Sequence, residues 1–155
     1  MLVMTYILAS IFYPVLLGGA AYGPTPREII ADALKLVDLK KHEVFYDLGC
    51  GTGVTLMEAA KFCDHVKGVE IEPLRWFIAK LSAPKAHVTL GNLFKQDISD
   101  ADVIFIFQYK GRVNNRIAEK IKAEAPSGTR IISYYHPIEN MKLVKSQKEI
   151  LIYKT

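Results

Sequence analysis

No charged side chain precedes Arg27 in this 155-residue chain, although charged residues make up 23% of the whole. Cysteine is nearly as scarce. There are two, Cys50 and Cys63, and neither stands in a CxxC or with histidine at metal spacing. That excludes a zinc centre built on paired thiolates and a disulfide framework, and it suits reduced, small apolar residues in a reducing compartment. Internal repeats and low-complexity stretches are absent, so solenoid and disordered classes fall away. The net charge is +4, yet Lys and Arg are spread along the chain. A basic balance permits a nucleic-acid or anionic-membrane partner, but the lack of a cluster makes nucleic acid unlikely. A length of 155 residues suits one domain and not two.

The uncharged N-terminus is itself informative. Leu2 to Tyr22 reads LVMTYILASIFYPVLLGGAAY. As a helix such a stretch spans about 31 Å, close to the roughly 30 Å hydrocarbon core of a bilayer. Pro14 and the Gly18–Gly19 pair are awkward in a soluble helix and tolerated in a membrane. A signal peptide would open with a basic region, which is missing. An arm packed on its own domain would bury more surface than so small a domain usually needs. The expectation is a membrane anchor over residues 1–22, followed by a domain over 23–155. The first cations, Arg27, Lys35, Lys40 and Lys41, all follow the segment, and the positive-inside rule puts that domain in the cytoplasm.

From Gly23 onward, helical and strand patterns alternate. In GPTPREIIADALKLVDL, Thr25 can cap a helix and Pro26 suits its first turn. Val44 to Tyr46 reads as a strand, followed by a helix from Val54 to about Phe62. HVKGVEI is a second strand, PLRWFIAKLSA a helix, and AHVTLGN, ADVIFIFQ and TRIISYYH are three more strands. GRVNNRIAEKIKAEAP is a helix stopped by Pro126 and Gly128. MKLVKS and EILIYKT then form a terminal hairpin. The alternation predicts an α/β domain with a mostly parallel seven-stranded sheet, covered on both faces, and a C-terminal antiparallel hairpin.

The chemistry-bearing stretch is EVFYDLGCGTGVTLMEAA, Glu43 to Ala60. Its glycines are Gly49, Gly51 and Gly53, and Val54 stands where the dinucleotide fingerprint needs its last glycine. A G-K-[ST] phosphate loop is also absent. Asp47 ends the strand beside the turn, where a carboxylate would oppose a pyrophosphate on the helix N-terminus. The same carboxylate favours a ligand bearing an amine or a sulfonium. Alternating glycines let the backbone turn and approach that ligand. An acid at the end of the second strand serves ribose hydroxyls; Glu70 stands there, with Glu72 as the alternative.

DLGCGTG, GVEIE and GN together resemble the class I S-adenosylmethionine-dependent methyltransferases, from about Tyr22 to the end of the chain. The resemblance implies a three-layer Rossmann-like fold and S-adenosylmethionine as cofactor. It implies that Asp47, Gly49, Gly51 and Gly53 surround the methionine part and that Glu70 holds the ribose. Asn92 stands where many members place an acid facing the adenine amine, and Ile71 and Leu93 would flank the ring. YGPTPREII, VFYDLGCGTG and LGNLFKQDIS are also similar to small archaeal lysine methyltransferases. They are similar, too, to the membrane-anchored mitochondrial ones that modify the ATP synthase c-subunit and the adenine nucleotide translocase. In that group the entry motif closes over the cofactor, which makes Tyr22 and Thr25 candidate contacts.

The acceptor pocket belongs at the carboxyl ends of the fourth and fifth strands. Gln108 and Tyr109 follow one; Tyr134, Tyr135 and His136 end the other. Aromatic faces and hydroxyls can orient an amine or ammonium. Strand alternation would send Tyr134 and Tyr135 to opposite faces, leaving one in the pocket. His136, before Pro137, is equally a surface turn residue, and Asn114 and Asn115 either line the rim or are solvated on their helix. An Asn/Asp-Pro-Pro-Tyr motif is missing after VIFIFQ, and the late strands hold no cysteine. Those absences exclude adenine or glutamine amino-methylation and a covalent cytosine mechanism. The expected acceptor is a protein lysine. The alternatives are a lipid or small-molecule acceptor, or cofactor binding without catalysis.

Overall fold

The computed structural model describes residues 23, 25–108 and 111–155. The apolar segment 1–22, with Tyr22, and Tyr109 lie outside the described residues. Among those described, no helix is long and apolar enough to cross a membrane.

Seven strands form one sheet in the order β3-β2-β1-β4-β5-β7-β6. They are β1 (Val44–Leu48), β2 (His65–Glu70), β3 (His87–Leu90), β4 (Val103–Ile106), β5 (Arg130–Tyr134), β6 (Lys142–Gln147) and β7 (Ile150–Lys154). β3, β2, β1, β4 and β5 run parallel; β7 pairs antiparallel with both β5 and β6. The predicted mostly parallel sheet with a terminal hairpin is therefore the observed one.

Three helices cover one face: α1 (Arg27–Leu36), α2 (Val54–Ala59) and α3 (Pro73–Ser82). They pack over Phe45, Val66, Val88, Val103, Phe105, Ile132 and Ile152. The other face carries α4 (Arg112–Glu124) over Leu48, Val69, Ile104, Ile106, Ile131 and Tyr153. Period-2 alternation explains the split: along β4, Val103 and Phe105 face one layer while Ile104 and Ile106 face the other. All four are buried, as expected of a central parallel strand covered on both sides.

Several helix boundaries differ from the sequence reading. Pro26 occupies the N-cap of α1 with no side-chain capping bond, so Thr25 sits one residue too early to cap it. The helix after the glycine loop ends at Ala59, because Lys61, Phe62 and Cys63 turn back onto the carbonyls of Glu58 and Ala59. α3 is the best-capped helix. Glu72 accepts from Leu74 N (3.1 Å) and Arg75 N (2.9 Å), and Pro73 needs no donor partner at the first position.

Candidate active site

β1 delivers Asp47 and Leu48 to the carboxyl edge of the sheet, and the chain then turns through Gly49, Gly51 and Gly53 with φ of 97°, 55° and 86°. Two of these positions tolerate nothing larger. A Cβ on Gly53 would lie 3.0 Å from the backbone Cα of Ala79 in α3, in a conformation that side chains rarely adopt. A Cβ on Gly49 would lie 3.1 Å from the Gln108 side-chain amide. The peptide N–H groups of Gly49 and Cys50 both donate to the Val69 carbonyl at 3.0 Å, which fixes the loop to the end of β2.

Asp47 is buried, and its carboxyl is raised from an ordinary 3.8 to about 7. Burial is the main cause and the neighbouring Glu70 carboxylate adds to it, against a hydrogen bond from Thr55. Two acids thus meet at one buried turn. A ligand bringing positive charge to Asp47 relieves both the desolvation and the repulsion, which is the fit expected for an amine- and sulfonium-bearing cofactor. Burial and the same carboxylates push the Cys50 thiol well above its usual range, so this cysteine is an inert wall of the loop.

Glu70 is placed as expected, and its carboxylate is already engaged. One oxygen accepts from Gly51 N at 2.9 Å and the other from Ile71 N (3.0 Å) and Glu72 N (2.9 Å). Arg75 approaches the same carboxylate at 3.7 Å. Glu72, the alternative ribose acid, is committed to capping α3. Ile71 follows Glu70 and is half-buried. Asn92 accepts from Phe94 N at 2.9 Å, opening a short 3-10 turn over Leu93–Lys95; one lone pair of its carbonyl is therefore spent locally. Leu93 is half-buried in that turn, and the Phe94 ring carries the Arg116 guanidinium of α4 at 4.0 Å. Thr25 is half-buried ahead of α1.

The residues expected on the acceptor side lie close together. Gln108 is 9% exposed, and its side-chain oxygen is buried without a hydrogen-bond partner among the described residues. Next to it in sequence, Phe107 gathers the aromatic side chains of β5: its ring centroid lies 5.0 Å from Tyr134 and 6.0 Å, stacked, from His136. Tyr135 completes the group, edge-on to His136 at 5.3 Å and to Tyr134 at 6.3 Å. The expectation that the two tyrosines diverge is therefore corrected. Tyr135 has φ 66°, and His136 N donates to the Tyr134 carbonyl at 2.8 Å, a γ-turn with positive φ. That turn ends the strand's alternation at Tyr134 and folds Tyr135 back beside His136. Nor is His136 a bare surface residue, since it is half-buried on Phe107. Asn114, weighed as a rim or solvated residue, is 1% exposed, while Asn115 is exposed.

Phe107 was missed because, in the apolar run VIFIF, it looks like one more strand residue. Gly23 was missed as well. A Cβ there would stand 3.2 Å from the Phe107 ring, so the entry segment runs against this aromatic group. Its place just before the Pro-Thr motif was the available signal.

A family model described as the ANTKMT methyltransferase domain matches residues 47–145, from the buried aspartate to the terminal hairpin. The chain belongs to the ANTKMT methyltransferase-domain family. It is thus a class I enzyme dependent on S-adenosylmethionine. It is 34% identical over 121 residues to a protein-lysine N-methyltransferase of Saccharolobus islandicus, covering 73% of this chain and 74% of that one. A probable cobalt-precorrin-6B C(15)-methyltransferase (decarboxylating) of Methanosarcina mazei is 27% identical over 146 residues, covering 83% and 78%. Among solved structures, an RNA methyltransferase from Salinibacter ruber in complex with S-adenosyl-L-homocysteine superposes with a TM-score of 0.76. It is 25% identical, over 84% of this chain and 91% of that one. Both these relatives and that structure share the family's methyl-transfer chemistry while differing in acceptor.

Proposed function

We propose that this methyltransferase acts on a lysine side chain of a protein. The observation that carries the reading is the aromatic group of Phe107, Tyr134, Tyr135 and His136, followed in sequence from Phe107 by Gln108, whose side-chain oxygen is buried with no hydrogen-bond partner among the described residues. The likeness to the Saccharolobus protein-lysine enzyme supports it. Aromatic faces attract and orient the ammonium, while burial and the nearby sulfonium charge favour the neutral amine. A free lysine titrates near about 10.4, so the amine must lose a proton to become a nucleophile. The Gln108 oxygen can accept an N–H from that amine and so orient it without acting as a base.

S-adenosylmethionine, when bound, supplies a methyl already activated by the sulfonium charge. In this reading Asp47, Gly49, Gly51 and Gly53 hold its methionine part and Glu70 its ribose. Ile71, Asn92 and Leu93 surround the adenine, and Tyr22 and Thr25 close over it. Three backbone N–H groups already occupy Glu70, so of its roughly four acceptor sites one is left for a ribose hydroxyl.

Transfer of tritiated methyl to an extract of cells lacking the gene tests the acceptor. Label recovered as methyl-lysine after acid hydrolysis supports the proposal, and label in the lipid phase or in small molecules overturns it. We further propose that the uncharged segment 1–22 holds the enzyme at a membrane with its domain on the cytoplasmic side. Deleting residues 1–21 should move the protein from the membrane fraction to the supernatant, and retention in the membrane would sink that idea.

A further inference from the structure

The chain after β5 does not reach its position by strand geometry alone. Tyr135 stands at positive φ, which is unfavourable for a bulky side chain, and yet the turn it makes is tied down on every side. Its own N–H donates to the Glu149 carbonyl at 2.7 Å. The Ser133 hydroxyl donates to the His136 carbonyl, and Ile138 N donates to the Tyr153 hydroxyl at 3.1 Å. The remaining tie comes from another layer. Asn114, in the first turn of α4, donates through Nδ2 to the Pro137 carbonyl at 2.9 Å. A carbonyl can only accept, so the amide's orientation is fixed by this bond. Asn114 is 1% exposed, and its own oxygen is buried with no hydrogen-bond partner among the described residues. A buried polar side chain that leaves one of its groups unsatisfied costs stability, so packing does not explain an asparagine here.

We propose that Asn114 is a positioning residue: its carboxamide locks the Tyr135–Pro137 turn to α4 and so sets the aromatic wall against which the methyl acceptor is held. The proposal rests on the acceptor reading above for its effect on turnover, but its structural half does not. His136 sits between Phe107 and Tyr135, so its ring protons report the wall directly. The other three of the four histidines, His42, His65 and His87, are exposed and serve as internal controls.

The test uses the full chain carrying Asn114→Leu, which keeps the branched shape, adds methyl bulk and removes the donor. The His136 ring resonances should move while those of His42, His65 and His87 stay in place. Affinity for S-adenosylmethionine should change less than about twofold, because the hydrogen bond that Asn114 donates goes to Pro137 and not to the glycine loop. Turnover of the acceptor, as kcat/KM, should fall by about tenfold or more, as expected for a misplaced reacting group. Asn114→Ala removes the donor without added bulk should Asn114→Leu fail to fold, and the same readings apply to it. An unmoved His136 resonance overturns the proposal, and so does a loss of cofactor affinity as large as the loss of turnover. If the wild-type enzyme methylates no lysine, the lysine reading fails, and the His136 resonance still decides whether Asn114 holds the wall.

Discussion

The side-chain amide of Gln108 lies over Gly49, with Nε2 only 3.1 Å from where a Cβ of that glycine would sit. The segment after β4 and the loop after β1 therefore meet closely. Gly49→Ala should displace Gln108 as well as strain the loop at φ 97°. It should lower cofactor affinity and turnover together, each by about tenfold or more. Gln108→Ala should lower turnover alone by about 10- to 100-fold. Calorimetry with S-adenosylmethionine beside steady-state kinetics separates the two patterns.

Asp47 sets a trade of stability against binding. Its folded carboxyl titrates at about 7, above the ordinary 3.8, so the folded state binds this proton more tightly than the unfolded chain. The stability linked to the group is fully present below about 3.8 and is lost as pH rises towards 7. Asp47→Asn removes the buried charge. Near pH 8 it should raise the thermal midpoint by about 3 °C or more while weakening cofactor affinity by about 30-fold or more. A variant that melts lower than wild type at that pH would contradict the assignment.

The same titration governs binding. A cationic ligand needs the ionised carboxylate, so affinity for S-adenosylmethionine should be level above pH 7 and fall by up to about tenfold per unit below it. Asp47→Asn should flatten the profile. Calorimetry from pH 8.5 to 5.5 in buffers of different ionisation enthalpy would also register proton release on binding near pH 6.5.

Gly53→Ala places a methyl 3.0 Å from the Ala79 Cα at φ 86°. The contact is with backbone, which has little room to give, so the change should cost about 1–3 kcal/mol. Ala79→Gly should recover only part of that, because it removes a 3.1 Å contact and leaves the closer one. Denaturant titration of the two single variants and the double variant checks both statements.

Tyr135 is expected to behave in the opposite sense. Tyr135→Gly relieves a positive φ at an exposed position, where the ring contributes little to the core. Stability should hold or rise by up to about 1 kcal/mol, while acceptor turnover falls. Loss of stability above about 1 kcal/mol would mean that the ring supports the fold rather than the site.

Local patterns were enough for much of this molecule. Alternating strands and helices, the residues ending at Asp47, and the acid at Glu70 were legible because each depends on periodicity or on a few adjacent residues. The three glycines were legible because only that residue accepts such φ values so close together. The apolar segment 1–22 was legible as composition, and its charge-free length is a property of the sequence alone. What the sequence could not place depends on contacts between distant segments. The γ-turn at Tyr135 forms because Asn114, Ser133, Glu149 and Tyr153 hold it, and Asn114, Glu149 and Tyr153 come from other parts of the chain. Phe107 became the centre of the aromatic group only once β4 and β5 lay side by side and Gly23 came to rest on its ring. The raised carboxyl of Asp47 likewise follows from burial beneath the packed helices and from Glu70 on a neighbouring strand. Residue type and spacing determined which cofactor this fold takes. The aromatic group around Phe107 was decided by tertiary packing, because only packing holds a strained turn and these rings in one place.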